Sequence, residues 1–137
     1  MSRKIPFLFL AVCAMFFTAH PALAHHSFTA EFDEKQPIEI KGVLTRVAWI
    51  NPHVYWYVDV KDESGKVTNW AFSGGAPGQL MRRGITRDKI QPGMVVIVEG
   101  FHAKDGSNNG SGGKVTFADG RSVFTAGAED KLPDGKK

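Results

Sequence analysis

Val54, Trp56, Val58 and Val60 alternate strictly with Tyr55, Tyr57, Asp59 and Lys61, and this run constrains the chain more than any other. A two-residue period places the first set on one face of a β-strand and the second on the other. One apolar face must be buried against further elements, so the flanking segments have to supply a second layer. Asn51-Pro52 before the run and Asp62-Glu63-Ser64-Gly65 after it are turn signals.

The flanks supply strands. Ile38 to Ile50 is a longer β-branched candidate, with Gly42 where a bulge or tight bend is expected. Val67 to Phe72 returns as a third strand. After the loop Ser73 to Gly78, Gln79 to Arg83 is a short helical piece closed by Gly84. Pro92-Gly93 turns the chain into Met94–Ala103, the most apolar strand. Asp105 to Gly113 holds four glycines and two asparagines and is expected to be a mobile loop. Val115–Phe117 and Arg121–Phe124 form a final hairpin around Asp119-Gly120.

The order is strand, strand, strand, short helix, strand, strand. The expected class is all-β with one short helix, matching the OB-like five-stranded Greek-key barrel with its helix between the third and fourth strands. A small open β-sandwich fits the same order. Either architecture takes several ligand classes, so function has to be argued from a site.

The first residues have a different purpose. Arg3 and Lys4 precede an apolar run from Ile5 to Phe17, shorter than the ~20 residues of a spanning helix. Pro21 and then Ala22-Leu23-Ala24 complete a secretory signal peptide with cleavage expected after Ala24. The chain thus divides into a signal peptide over 1–24, a head over 25–37, the β-barrel domain over 38–126 and a disordered polar tail over 127–137. A periplasmic or secreted location follows, with no membrane attachment after cleavage.

Processing changes the chemistry. Losing Arg3 and Lys4 lowers the formal charge of the 137-residue chain from +3 to +1, which is not a nucleic-acid signature. Losing Cys13 leaves no cysteine, which excludes disulfides, thiolate nucleophiles and zinc-thiolate sites. With 42% hydrophobic residues the domain can stand on its core.

Cleavage also makes His25 the first residue and His26 the second. An N-terminal histidine can chelate a metal through its α-amine and Nδ1, and one more imidazole completes a three-nitrogen histidine brace. Planar nitrogen sets suit Cu(II), which tops the divalent affinity order. The α-amine has a reference pKa of about 7.7–8.0 and gives up its proton readily to a competing metal. His53, in the turn after Asn51-Pro52, is the preferred third ligand; His102, at the end of the apolar strand, is the other candidate. The opposing reading makes His25 and His26 a solvated processed terminus and His53 a turn residue bonded to a carbonyl.

Aromatic residues cluster on the first three strands, and Tyr55, Tyr57 and Trp70 are the candidates for a sheet face that binds a small ligand, a saccharide or a protein partner. The plainer alternative is that Trp56 fills the barrel and the tyrosines cover its wall. Gly74-Gly75-Ala76-Pro77-Gly78 lacks the Lys-Ser/Thr of a P-loop. Ser27 beside His26 has no nucleophile elbow around it. The leading expectation is therefore copper binding or delivery, with an oxidative copper enzyme as a lesser alternative for lack of any marked substrate groove.

His25-His26-Ser27-Phe28, Asn51-Pro52-His53, Asn69-Trp70, Gly75-Ala76-Pro77 with Arg82-Arg83-Gly84, Pro92-Gly93 and Ala103-Lys104-Asp105-Gly106-Ser107 occur together in this order. The combination resembles a family of small exported bacterial proteins classed as a domain of unknown function, over about residues 25–124. The resemblance implies export and a compact β-rich domain. Its pattern covers His25, His26 and His53, leaves out His102, and carries no catalytic assignment.

Overall fold

A computed structural model describes residues 28–127. The expected signal peptide, His25, His26 and the expected tail beyond Gly127 lie outside the described residues. Strands β1 (Phe32–Trp49), β2 (Val54–Lys61) and β3 (Val67–Ser73) precede one short helix, α1 (Pro77–Arg82). Strands β4 (Val95–Ala103), β5 (Asn109–Ser111), β6 (Lys114–Phe117) and β7 (Ser122–Phe124) follow. The fold is all-β with one short helix: a seven-stranded mixed sheet in the order β1-β2-β3-β5-β4-β6-β7, closed by a β1–β4 pairing. Five strands, β1-β2-β3-β5-β4, thus form an OB-like ring.

One strand serves two partners to make that ring. β1 pairs with β4 over Pro37–Val43 and with β2 over Val43–Trp49, so Val43 faces both Val95 and Asp59. The strand must coil sharply there, and Gly42 permits it: a Cβ at this position would lie 2.3 Å from the Asp59 carbonyl oxygen. The bend expected at Gly42 is where the ring turns. A bulge between Leu44 and Arg46 then shifts the alternation by one residue. That shift lets Leu44, Val47 and Trp49 all point inward although their spacing is not even.

The alternation in β2 is realised. Val54, Trp56 and Val58 are fully buried, and Leu44, Phe72, Val96, Val98 and Val115 join them in one core. Leu80, Ile85 and Ile90, from α1 and the segment after it, pack into the same core. Pro77 at the helix start needs no N–H partner, Gln79 Oε1 accepts the Ala76 N–H at 3.3 Å, and Gly84 leaves the helix at φ +77°.

Two segments depart from the sequence expectation. The stretch Asp105–Gly113, expected to be a mobile loop, contains β5, the strand that closes the ring. β5 runs parallel to β3 (Ala71↔Asn109, Phe72↔Gly110, Ser73↔Ser111) and meets β4 at His102↔Gly110. Glycines on both sides of this seam serve close approach: a Cβ on Gly110 of β5 would sit 2.8 Å from Ile38 Cδ1, and one on Gly100 of β4 would sit 1.6 Å from the Ser111 carbonyl oxygen. The second departure is the head. Residues 28–31 are helical and β1 starts at Phe32, six residues before Ile38. Phe28 and Phe32 are buried against Phe101 and Ala103 on the outside of β4, in a small core of their own.

The last described residues seal the ring. Gly75 N–H donates to Thr125 O at 2.6 Å, Thr125 N–H donates to Gly113 O at 3.0 Å, and the buried Thr125 hydroxyl donates to Gly112 O at 2.6 Å. Thr125 thereby ties the chain after β3 to the chain after β5.

Candidate functional site

His53 precedes β2 by one residue, in the turn that contains the cis Asn51–Pro52 bond. Its ring is half-buried, and Nδ1 lies 2.9 Å from the Gly74 carbonyl oxygen. A carbonyl only accepts, so in the neutral ring the proton resides on Nδ1 and Nε2 carries the lone pair. The acceptor is itself fixed: Gly74 N–H donates to Val54 O at 2.7 Å, and Val54 N–H donates to Gly75 O at 3.0 Å. Glycine is required at this acceptor, because a Cβ on Gly74 would lie 2.8 Å from Thr125 O and 3.3 Å from Trp56 Nε1. That indole nitrogen has no hydrogen-bond partner among the described residues, although Trp56 is wholly buried. The opposing reading of His53, a turn ring bonded to a carbonyl, describes this contact, and the same contact is what orients a metal-binding histidine.

The head packs against the end of β4 and the turn that follows it. Burial pushes the Tyr55 phenol up, and the nearby Glu31 carboxylate adds to the rise, with Tyr57 third. Glu31 is in turn held by the Lys104 N–H, which donates to its carbonyl at 2.9 Å, while Lys104 Nζ donates to Thr29 O. A shallow polar pocket lined by Ala30, Glu31, Ala103, Lys104, Asp105 and Asn109 opens between the head and the β4–β5 turn. Hydrogen bonds from the Ser107 hydroxyl and N–H hold the Asp105 carboxyl below its ordinary 3.8.

The aromatic trio does not form one surface. Tyr55 and Tyr57 pair with Ser73 and Ala71 on the outer face, where the Arg46 guanidinium lies 4.0 Å from the Tyr57 ring centroid. Trp70 pairs with Val58 and shares the inner face. It stacks on Phe72 at 5.9 Å and meets the His102 ring at 5.4 Å. The strand parity carried this separation, since position 70 faces position 58 and not 55 or 57.

His102 is engaged elsewhere. Its Nε2 lies 2.8 Å from Ser107 O, so the ring braces the turn into β5 from inside the ring's end. The sequence offers His102 as an alternative ligand; its parity with Val96, Val98 and Gly100 is the signal for an inward ring. Among the described residues, no three His, Cys, Asp or Glu side chains converge on a point that could hold a metal. Among the described residues no helix is long and apolar enough to cross a membrane.

No curated protein and no solved structure matches the chain. A family model does match, over residues 14–113, a span that ends just after the last strand of the ring. The chain belongs to that family, a family of unknown function designated DUF6152.

Proposed function

We propose that this is an exported protein, periplasmic or secreted, that binds Cu(II) through a histidine brace at its mature N-terminus and serves in copper binding or delivery. Cleavage after Ala24 makes His25 the first residue. The α-amine and Nδ1 of His25 supply two nitrogens, Nε2 of His53 supplies the third, and His26 is a substitute or auxiliary ligand. Export, the N-terminal histidine pair and Asn51-Pro52-His53 are the features that the family resemblance implies.

The observation that carries the reading is the His53 ring, with its Nδ1–H committed to Gly74 O and its Nε2 lone pair left for a metal. Metal-ligating histidines almost always donate their other ring N–H to a carbonyl or carboxylate, which fixes the tautomer and raises ligand basicity.

The test is a Cu(II) titration of the protein with its authentic N-terminus, beside a form with one extra residue before His25, with electron paramagnetic resonance on both. Tight one-to-one binding with an axial, nitrogen-rich spectrum is expected for the authentic form and lost on extension. Equal binding by the two forms overturns the proposal.

A further inference from the structure

We infer that the end of the ring covered by α1 is a docking surface for an anionic phospholipid membrane. The inference goes beyond copper binding and does not depend on it. The segment from Leu80 to Ile90 has two sides. Leu80, Ile85 and Ile90 are buried in the ring's core, which fixes how the residues between them are presented. Met81, Arg82, Arg83, Arg87 and Lys89 are all exposed. The segment holds four cations and one acid, Asp88, whereas the rest of the described chain holds more acids than bases. Asp88 offsets one charge at most. Arg83 Nη1 donates to Phe124 O and Ala126 O, and Lys89 Nζ donates to Gly84 O at 3.2 Å. Carbonyls carry no net charge, so both cations keep theirs. Neither Arg82 nor Arg87 pairs with a carboxylate among the described residues. Arg87 lies over the Trp49 ring, 5.3 Å from its centroid. An excess of positive charge is thus gathered at one end of the molecule.

The apolar groups at that end point to the partner. Trp49 packs against the core that Leu80, Ile85 and Ile90 share, and it carries Arg87 on its ring. Ile50 follows it and is 56% exposed, and Met81 is 50% exposed. A soluble polyanion accounts for the cations and leaves two large apolar side chains in water beside them. An anionic bilayer takes both: phosphate-bearing headgroups meet the cations, and the acyl boundary beneath them receives Ile50 and Met81. A tryptophan flanked by arginine suits the headgroup level, where one side of the ring is apolar and the other wet. The contact is peripheral, made by side chains of a turn and a one-and-a-half-turn helix on a rigid ring.

Co-sedimentation with vesicles tests this, using the protein with its authentic N-terminus at about 0.1 M salt, where charges more than about 10 Å away are screened. Each cation at an anionic surface is worth about fivefold in partition, so Arg82, Arg87 and Lys89 together favour mixed phosphatidylglycerol–phosphatidylcholine vesicles over phosphatidylcholine alone by about 100-fold. Arg82→Gln with Arg87→Gln is expected to lower that partition about 25-fold. Lys41→Gln with Lys66→Gln removes the same charge from exposed positions elsewhere and is expected to leave it within about twofold. Ile50→Ser with Met81→Ser is expected to weaken vesicle binding and to leave binding to polyglutamate as it was. Equal partition onto the two kinds of vesicle overturns the inference. Equal losses in the two charge pairs also overturn it, because net charge and not this surface would then be responsible. If polyglutamate is bound as tightly as the vesicles and the Ile50 and Met81 changes alter neither, the surface takes an acidic protein and the membrane reading is overturned.

Discussion

Gly100→Ala is the sharpest test of how the ring closes. The added Cβ would lie 1.6 Å from the Ser111 carbonyl oxygen, against about 3.4 Å for ordinary contact. The obstacle is backbone, so no rotamer change relieves it, and β5 must move away from β4 by nearly 2 Å. Two hydrogen bonds span that gap: Phe101 N–H to Ser111 Oγ at 2.9 Å and Gly113 N–H to Glu99 O at 2.9 Å. A 2 Å displacement breaks both, and each stranded buried group costs about 1–3 kcal/mol. Partial relaxation brings the expected loss to about 3–5 kcal/mol, a large share of a typical domain's stability. The measurement is urea unfolding at constant slope, with a melting temperature lowered by roughly 15 °C or more. Gly93→Ala is the control. Gly93 has φ +91° and open space around it, so it bears only the left-handed backbone cost of about 1–2 kcal/mol. Equal losses in the two variants would refute close approach at Gly100 as the condition for closure.

Three further outcomes are expected. His53→Ala removes the bond to Gly74 O, lowers stability by about 0.5–1.5 kcal/mol in denaturant melts, and removes one nitrogen from the copper resonance spectrum; an unchanged spectrum refutes His53 as a ligand. In an ultraviolet titration Tyr55 ionises above the ordinary tyrosine value of 10.0, and Glu31→Gln brings it part of the way back; no movement would separate the head from the start of β2. Asp33, Asp62, Asp88, Asp105 and Asp119 are all held below 3.8, chiefly by hydrogen bonds from residues close in sequence. Depressed folded values mean that the stabilisation is complete above the unfolded value and lost as pH falls through the folded ones. Urea midpoints should therefore fall as pH drops below about 4, and Asp105→Asn should remove part of that slope.

The parts of the fold that were legible from sequence are those where side chains carry the pattern. Val54, Trp56 and Val58 announced β2 because alternate burial needs alternate hydrophobicity. Gly42 announced the turn in β1, and Asp119-Gly120 the last hairpin. β5 was illegible because Asn109-Gly110-Ser111 contributes backbone pairing and almost no apolar surface. Polar, glycine-rich sequence there means crowding, although it looks like slack. The start of β1 was hidden for another reason: between Phe32 and Pro37 the register against β4 shifts, so no period survives. At the candidate site, the free Nε2 of His53 depends on which carbonyl meets Nδ1, and Gly74 is 21 residues away in sequence. Only the fold brings it there.

The Thr125 staple separates closing the ring from locking it. The five ring strands pair with one another without any residue after Ser111. Gly112 N–H then donates to Ser73 O at 2.7 Å, and Thr125 adds three further bonds, to Gly75, Gly112 and Gly113. Without those three, the parallel seam is held by three residues of β5 and the one Gly112 bond. A chain ending at Phe124 would keep the same strands, yet lie open to exchange and proteolysis at β5 in a way the full chain does not.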